Sequence, residues 1–297
     1  MTGRLEKSWR DGVDPRLAQR HRKARAFHWC CRVLTWSGVA ILALLLFQIG
    51  RDGLPLLSWD FLTRVDSDKA QLAGIRVGLV GSLWVVGLTA LIAIPVGIGS
   101  AVYLEEYASR GRLSRFIEVN ITNLAGVPSI VYGILGLTVF VRALALERSV
   151  ISGALTLSLL ILPVIITAAR EALRAVPDTL RMAAFGLGAT RSQVVRHHVL
   201  PAAAPGIATG VILALGRALG ETAPLLMIGA FTLLLFTPDG LDSPFLVLPI
   251  MIYNWASHPR ADFQALAAGG IVVLLLLLLA INSVAVFIRW KFERPLS

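Results

Sequence analysis

Residues 77–104 read VGLVGSLWVVGLTALIAIPVGIGSAVYL, 28 consecutive positions without Asp, Glu, Lys or Arg. A helix rising about 1.5 Å per residue needs roughly 20 such residues to cross about 30 Å of hydrocarbon, so this run reads as a membrane span. Working outward, the charges divide the apolar material into six segments, 33–50, 77–104, 119–141, 149–169, 197–237 and 263–288. The composition agrees, with 56% hydrophobic and 15% charged residues and a mean hydropathy of +0.73. That balance excludes an ordinary soluble domain. The expected fold class is all-α, a polytopic membrane protein with six transmembrane helices.

Six spans put both termini on one side, together with the loops at 104–118 and 170–198. Of the 28 Lys and Arg residues, 20 fall on that side and seven on the other, which predicts cytoplasmic termini. The net charge of +10 then reflects the membrane surface, and no nucleic-acid partner is expected. The expected organisation is a basic cytoplasmic tail over 1–32, the first span and an extracytoplasmic loop over 33–73, a core over 74–288 and a short cytoplasmic tail over 289–297. The tail reads as a solvated, partly helical segment near anionic headgroups. The first apolar run starts late, is long enough to span and lacks a small-residue cleavage pattern, so it is expected to stay as an anchor rather than be removed.

Cys30 and Cys31 are adjacent and cannot easily meet disulfide geometry, so they read as small apolar filler. The five histidines show no H-E-x-x-H arrangement and no cysteines at metal spacing. None of the four lysines follows a glycine, so no phosphate loop is present and no cofactor is expected on this chain. If nucleotide energy is used, another chain binds the nucleotide.

Residues 176–201 read VPDTLRMAAFGLGATRSQVVRHHVLP. Pro177 and Asp178 suit a helix start, Gly186 and Gly188 loosen the chain, and an amphipathic pattern resumes at Arg191. This predicts two short helices with a break, in a loop longer than most passive connections. Ala183, Ala184, Gly188, Leu200 and Pro201 fall in register with the E-A-A-x3-G-x9-I-x-L-P loop that this stretch resembles, the coupling loop of ABC-importer permeases. Met182 stands where that family has Glu, and His198 where it has Ile. Three further stretches, GVPSIVYGILG at 126–136, GRALGETAPLL at 216–226 and LPIMIYNWASHP at 248–259, are similar to phosphate-importer permeases of the PstA type.

The resemblance covers roughly residues 74–288 and implies the MetI-like permease architecture. It implies one half of a two-permease channel for inorganic phosphate in the cell inner membrane. The implied partners are a second homologous permease, an extracytoplasmic phosphate-binding protein and a cytoplasmic ATPase dimer that hydrolyses the ATP. Ala183, Ala184, Gly188, Arg191, Leu200 and Pro201 would then serve coupling to the ATPase.

Arg217 and Glu221 interrupt the fifth apolar segment. An arginine near mid-membrane costs about 2.5–3.5 kcal/mol on insertion scales, so one is retained only when paired or facing water. Four residues apart on a helix, the two can pair directly, and a guanidinium offers an oxyanion several hydrogen bonds. Glu221 would orient Arg217 and partly neutralise it, so that an anion is attracted without being trapped, and the Thr222 hydroxyl adds a donor. Ser129, beside Pro128, would join the same translocation pathway where the third helix is interrupted, and a packing kink is the competing reading of that break. A purely structural ion pair clamping two permeases is the competing reading.

The proline-broken segment 243–259 is expected along the outer interface, with Tyr253 and Trp255 at headgroup depth, facing the binding protein. Sulfate, molybdate or phosphonate are the alternative cargoes, since one arginine and a few donors do not identify a tetrahedral anion. A membrane-embedded enzyme is the alternative of another class, though no nucleophile–base pair supports it.

Overall fold

The computed structural model describes residues 15–109, 111–230 and 233–292; Arg4, Lys7, Arg10, Arg110 and Arg294, counted above for orientation, lie outside them. The chain divides into two units, Met1–Arg51 and Asp52–Ser297. Helix α1 (Pro15–Gly53) dominates the first, and Lys23–Leu56 is long and apolar enough to cross a membrane. Trp29, Trp36 and Phe47 are exposed on it, as side chains are when lipid is the solvent.

In the second unit a 3-10 turn (Leu54–Leu56) leads to α2 (Trp59–Thr63) and α3 (Arg76–Val102), which runs into a π turn (Tyr103–Tyr107). Then follow α4 (Arg112–Ala125), α5 (Ser129–Gly136), a second π turn (Leu137–Ala143), α6 (Val150–Arg174), α7 (Asp178–Gly186) and α8 (Arg191–Val194). A third π turn (Val195–Val199) joins α8 to α9 (Leu200–Gly220), and α10 (Ala223–Ile228), α11 (Leu248–Ala256) and α12 (Ala261–Phe292) complete the unit. Among the described residues five helices can span a membrane, and six when α4 and α5, bent by 103° at their junction, count as one broken span.

Helix α6 lies at the centre, packed between α3 and α9. Its start is set by Ser149 and Ser152, which cap each other's backbone N–H in a reciprocal box. The approach of α9 to α6 rests on small residues: a Cβ at Gly206 would lie 2.8 Å from the Ala172 Cβ, and Gly210 packs as tightly on Ala168. Such a small-residue face lets helix backbones close in where lipid provides no hydrophobic drive. Across α3 and α6, the Thr89 hydroxyl donates to the Ala154 carbonyl at 3.3 Å, and the Ser158 hydroxyl to that of Thr89 at 3.5 Å.

Two expectations are corrected. The 243–259 segment is not an exposed surface strip, because α11 is buried between α3 and α12 with Leu248, Ile250 and Met251 fully enclosed. Tyr253 is exposed, but Trp255 is buried against Phe61 and donates its indole N–H to the Asp66 carboxylate at 3.2 Å. An indole that finds an acceptor inside the protein has no need of the headgroup layer. Within the fifth apolar segment the helix ends at Gly220, between the two interrupting charges, where Glu221 turns the backbone to an extended conformation.

Candidate functional site

The charged pair sits at the break between α9 and α10. Arg217 occupies the last turn of α9, and Glu221 is the residue at its end, with its backbone N–H donating to the Ala218 carbonyl at 3.3 Å. The side chains pair, Arg217 Nε to Glu221 Oε1 at 3.3 Å; the guanidinium is 45% exposed and the carboxylate 17%. One residue on, Thr222 stands before α10 with its hydroxyl free of any capping bond. Two residues of non-helical backbone therefore lie at the charged pair, a placement tolerated at membrane depth only beside protein or water.

The other break is Gly126–Pro128. Pro128 is held at φ −56°, ψ 138°, which stops α4 and starts α5 in a new direction, with Ser129 half-buried in its first turn. Helices α5 and α10 pack closely: a Cβ at Gly133 would lie 2.7 Å from the Pro224 Cα. Tyr132, buried on α5, donates its hydroxyl to the Leu124 carbonyl at 2.8 Å across the break. The fold thus brings the segment of Ser129 to that of Arg217, Glu221 and Thr222, about 90 residues later in the chain. On α12 the Asn282 side-chain oxygen is buried without a partner, 3.9 Å from where a Gly216 Cβ would be. A lone amide within a leucine-rich run was its signal in the sequence, and sequence reasoning missed it.

Of the residues expected to serve coupling, Ala183, Ala184, Gly188 and Arg191 fall between α6 and α9, and Leu200 and Pro201 open α9. The two short helices expected there are α7 and α8. Gly188 between them has φ +82°, a left-handed conformation that suits glycine, and ends α7 with its N–H on the Phe185 carbonyl at 2.9 Å. Thr190 opens α8, its N–H donating to Gln193 Oε1 at 2.8 Å. Ala184 is buried with Val194 and Val199 in a core that anchors the loop to α3, α6 and α9. Ala183, Gly188, Arg191 and Pro201 are exposed and Leu200 is half-buried. Beside them Met182, Phe185 and Leu187 present apolar side chains to solvent, Leu187 at 89% exposure. Contiguous exposed apolar side chains on a polar loop mark a contact surface.

Sequence reasoning also missed the charges behind that surface. Arg170 and Arg174, one turn apart on α6, each bond both Glu105 and Glu118, at 2.9–3.4 Å. Arg181 of α7 pairs with Glu106 at 2.8 Å and donates to the Leu173 and Val176 carbonyls. These groups line a cleft of about 820 Å³ with Arg115 and Arg191. The signal was present as Glu105-Glu106 closing one apolar run and Arg170 and Arg174 closing another, but partners 52 to 75 residues apart are joined only by folding.

A multi-pass helical bundle with paired helix breaks around an arginine and a structured loop before the fifth span defines the membrane subunit of a transport system. Residues 93–293 match the family described as binding-protein-dependent transport system inner membrane component, and the chain belongs to that family. It is 36% identical over 263 residues to a probable ABC transporter permease, YqgI, of Bacillus subtilis, covering 84% of this chain and 88% of that one. It is 33% identical over 261 residues to the phosphate transport system permease protein PstA 1 of Mycobacterium tuberculosis, covering 88% and 84%. In fold it is similar to a permease chain in inward-facing structures of the MetNI methionine ABC transporter, with a TM-score of 0.61 at 20% identity over 73% of this chain and 95% of that one. The chain is therefore a multi-pass inner-membrane permease with the all-α, MetI-like architecture.

Proposed function

We propose that this chain forms half of the channel of an ATP-driven importer of inorganic phosphate. The observation that carries the cargo is the similarity to the Mycobacterium tuberculosis phosphate permease over most of both chains. The charge of the site supports it, since Arg217 is the one basic side chain of the fifth apolar segment's interior and is half-exposed. In this reading the anion enters from an extracytoplasmic binding protein and passes Arg217, Thr222 and Ser129. Glu221 holds the guanidinium and lowers its net charge, so that binding is strong enough for entry and weak enough for release.

The exposed face of α7 with Ala183, Gly188 and Arg191 docks a cytoplasmic ATPase, which carries the nucleotide site that this chain lacks. Leu200 and Pro201 lead that motion into α9. A second permease completes the channel, and both termini face the cytoplasm. The test is reconstitution of the permease pair with its ATPase and binding protein in proteoliposomes. Phosphate-loaded binding protein should stimulate ATP hydrolysis and phosphate uptake. Stimulation by sulfate, molybdate or a phosphonate in place of phosphate would reassign the cargo.

A further inference from the structure

The three consecutive residues Glu105, Glu106 and Tyr107 are held by arginines from the end of α6 and from the docking segment that follows it. Glu105 is held by Arg170 and Arg174 at the end of α6, and Glu106 by Arg181 of α7. The guanidinium of Arg191, at the start of α8, lies 5.3 Å from the centre of the Tyr107 ring. The three held residues sit in the π turn that ends α3, a local distortion of the kind concentrated at functional positions. Arg170 and Arg174 also reach Glu118 on α4, so the two arginines and the two glutamates close a ring of four contacts with no net charge. Helix α4 leads through the 103° break into α5, and α5 packs on α10 beside the Arg217 pair.

We propose that this clasp of Arg170, Arg174 and Arg181 on Glu105, Glu106 and Glu118 delivers movement of the docking segment to the broken helix pair α4–α5. The residues are positioning residues, and none of them touches the anion. Two features make the clasp a mechanical link rather than a surface decoration. Arg170, Arg181 and Glu106 are mostly withdrawn from solvent, with side-chain exposures of 11%, 16% and 10%. In that setting a partner cannot be replaced by water without leaving an uncompensated charge. The ring also ties α4 to α3 and α6 together, because Glu118 shares both of its arginines with Glu105. When α6 and α7 move, α3 and α4 have to follow together or the ring has to open.

The inference rests on α7 being the ATPase docking surface, and its test separates the two ideas. Glu118→Gln and Glu105→Gln keep side-chain size and an acceptor oxygen while removing the charge; Glu118 is 42% exposed, which makes its variant mild for folding. Three quantities are measured on the complete transporter: ATPase affinity for the permease, ATP hydrolysis without binding protein, and hydrolysis and uptake with binding protein saturated with inorganic phosphate. Both variants should keep the affinity and the unstimulated hydrolysis, and lose stimulated hydrolysis and uptake by about tenfold, within the usual span of coupling between sites. Glu118→Gln combined with Arg174→Gln should lose no more uptake than Glu118→Gln alone, because Glu118 makes both of the ring's bonds to α4 and its charge is already gone.

Unchanged stimulation in both single variants overturns the clasp and leaves docking standing. A loss of ATPase affinity in step with the loss of stimulation overturns it too, since the ring would then only shape the docking surface. Failure of the ATPase to bind the unaltered permease refutes the docking reading, and the clasp falls with it.

Discussion

Replacing Glu221 by Gln isolates the charge balance of the central pair. At 3.3 Å, two unit charges attract by about 5 kcal/mol at an effective dielectric near 20 and by about 1 kcal/mol in bulk water. The guanidinium is nearly half exposed and the carboxylate mostly covered, which puts the pair between these limits, at about 2 kcal/mol. An equal share of the attraction on a passing anion is then unmasked, about 30-fold in its equilibrium constant. Maximal phosphate uptake by Glu221→Gln should fall by a similar factor, because an anion held more tightly leaves more slowly. Arg217→Gln removes the attraction itself and should abolish uptake while the permease pair still assembles. Initial uptake rates in proteoliposomes, normalised to the complex recovered by size-exclusion chromatography, measure both. The decisive variant is the swap Arg217→Glu with Glu221→Arg. A structural clamp needs only the pair and predicts recovered assembly and uptake, whereas an anion pathway predicts assembly without uptake. An assembled swap variant with full phosphate uptake would refute the pathway reasoning, since the glutamate at 217 should repel the anion.

The topology is checked by reporters. One after Ser297 and one near Arg112 should be cytoplasmic and one near Asp66 outside, and a cytoplasmic reporter at Asp66 would contradict the six-span arrangement. Gly188→Pro should uncouple uptake without blocking membrane insertion, because proline fixes φ near −65° where the loop has +82°. Gly188→Ala, at about 1–2 kcal/mol of left-handed strain, should be milder, and normal uptake with an unaltered ATPase pull-down in the proline variant would remove the docking role. Arg191→Glu should also uncouple, since it exchanges the cation on the Tyr107 ring for a charge like those of Glu105 and Glu106. Asp66 is buried, and burial holds its carboxyl above the ordinary value of 3.8 despite bonds from the Ser67 N–H and the Trp255 indole. A raised folded value means stability that is full below the unfolded value and lost as pH rises through the folded one. Asp66→Asn keeps the acceptor and removes the charge, so thermal unfolding in detergent should show the unaltered protein losing stability relative to the variant as pH rises above the ordinary carboxyl value of 3.8. A constant difference across that range would show that Asp66 is not the titrating group.

Hydropathy is a local and additive property, and for that reason the apolar runs, their number and the helices of the 176–201 loop were legible in the sequence. The break at Pro128 was legible too, because proline acts on its own backbone and on the residue before it. The pairing of Arg217 with Glu221 needed only helical spacing. What depended on distant neighbours was not legible. Trp255 has the composition of an interfacial residue and became a core residue because Phe61 and Asp66 meet it there, 194 and 189 positions earlier in the chain. Arg217 and Glu221 marked an interruption of the fifth apolar segment, but that the helix ends between them, at Gly220, was not legible. Glu105, Glu106 and Glu118 stand far along the chain from Arg170, Arg174 and Arg181, and only the fold sets them together. Partition between water and lipid is decided residue by residue along the chain, whereas pairing of buried charges is decided by which helices pack together, and only the tertiary structure contains that choice.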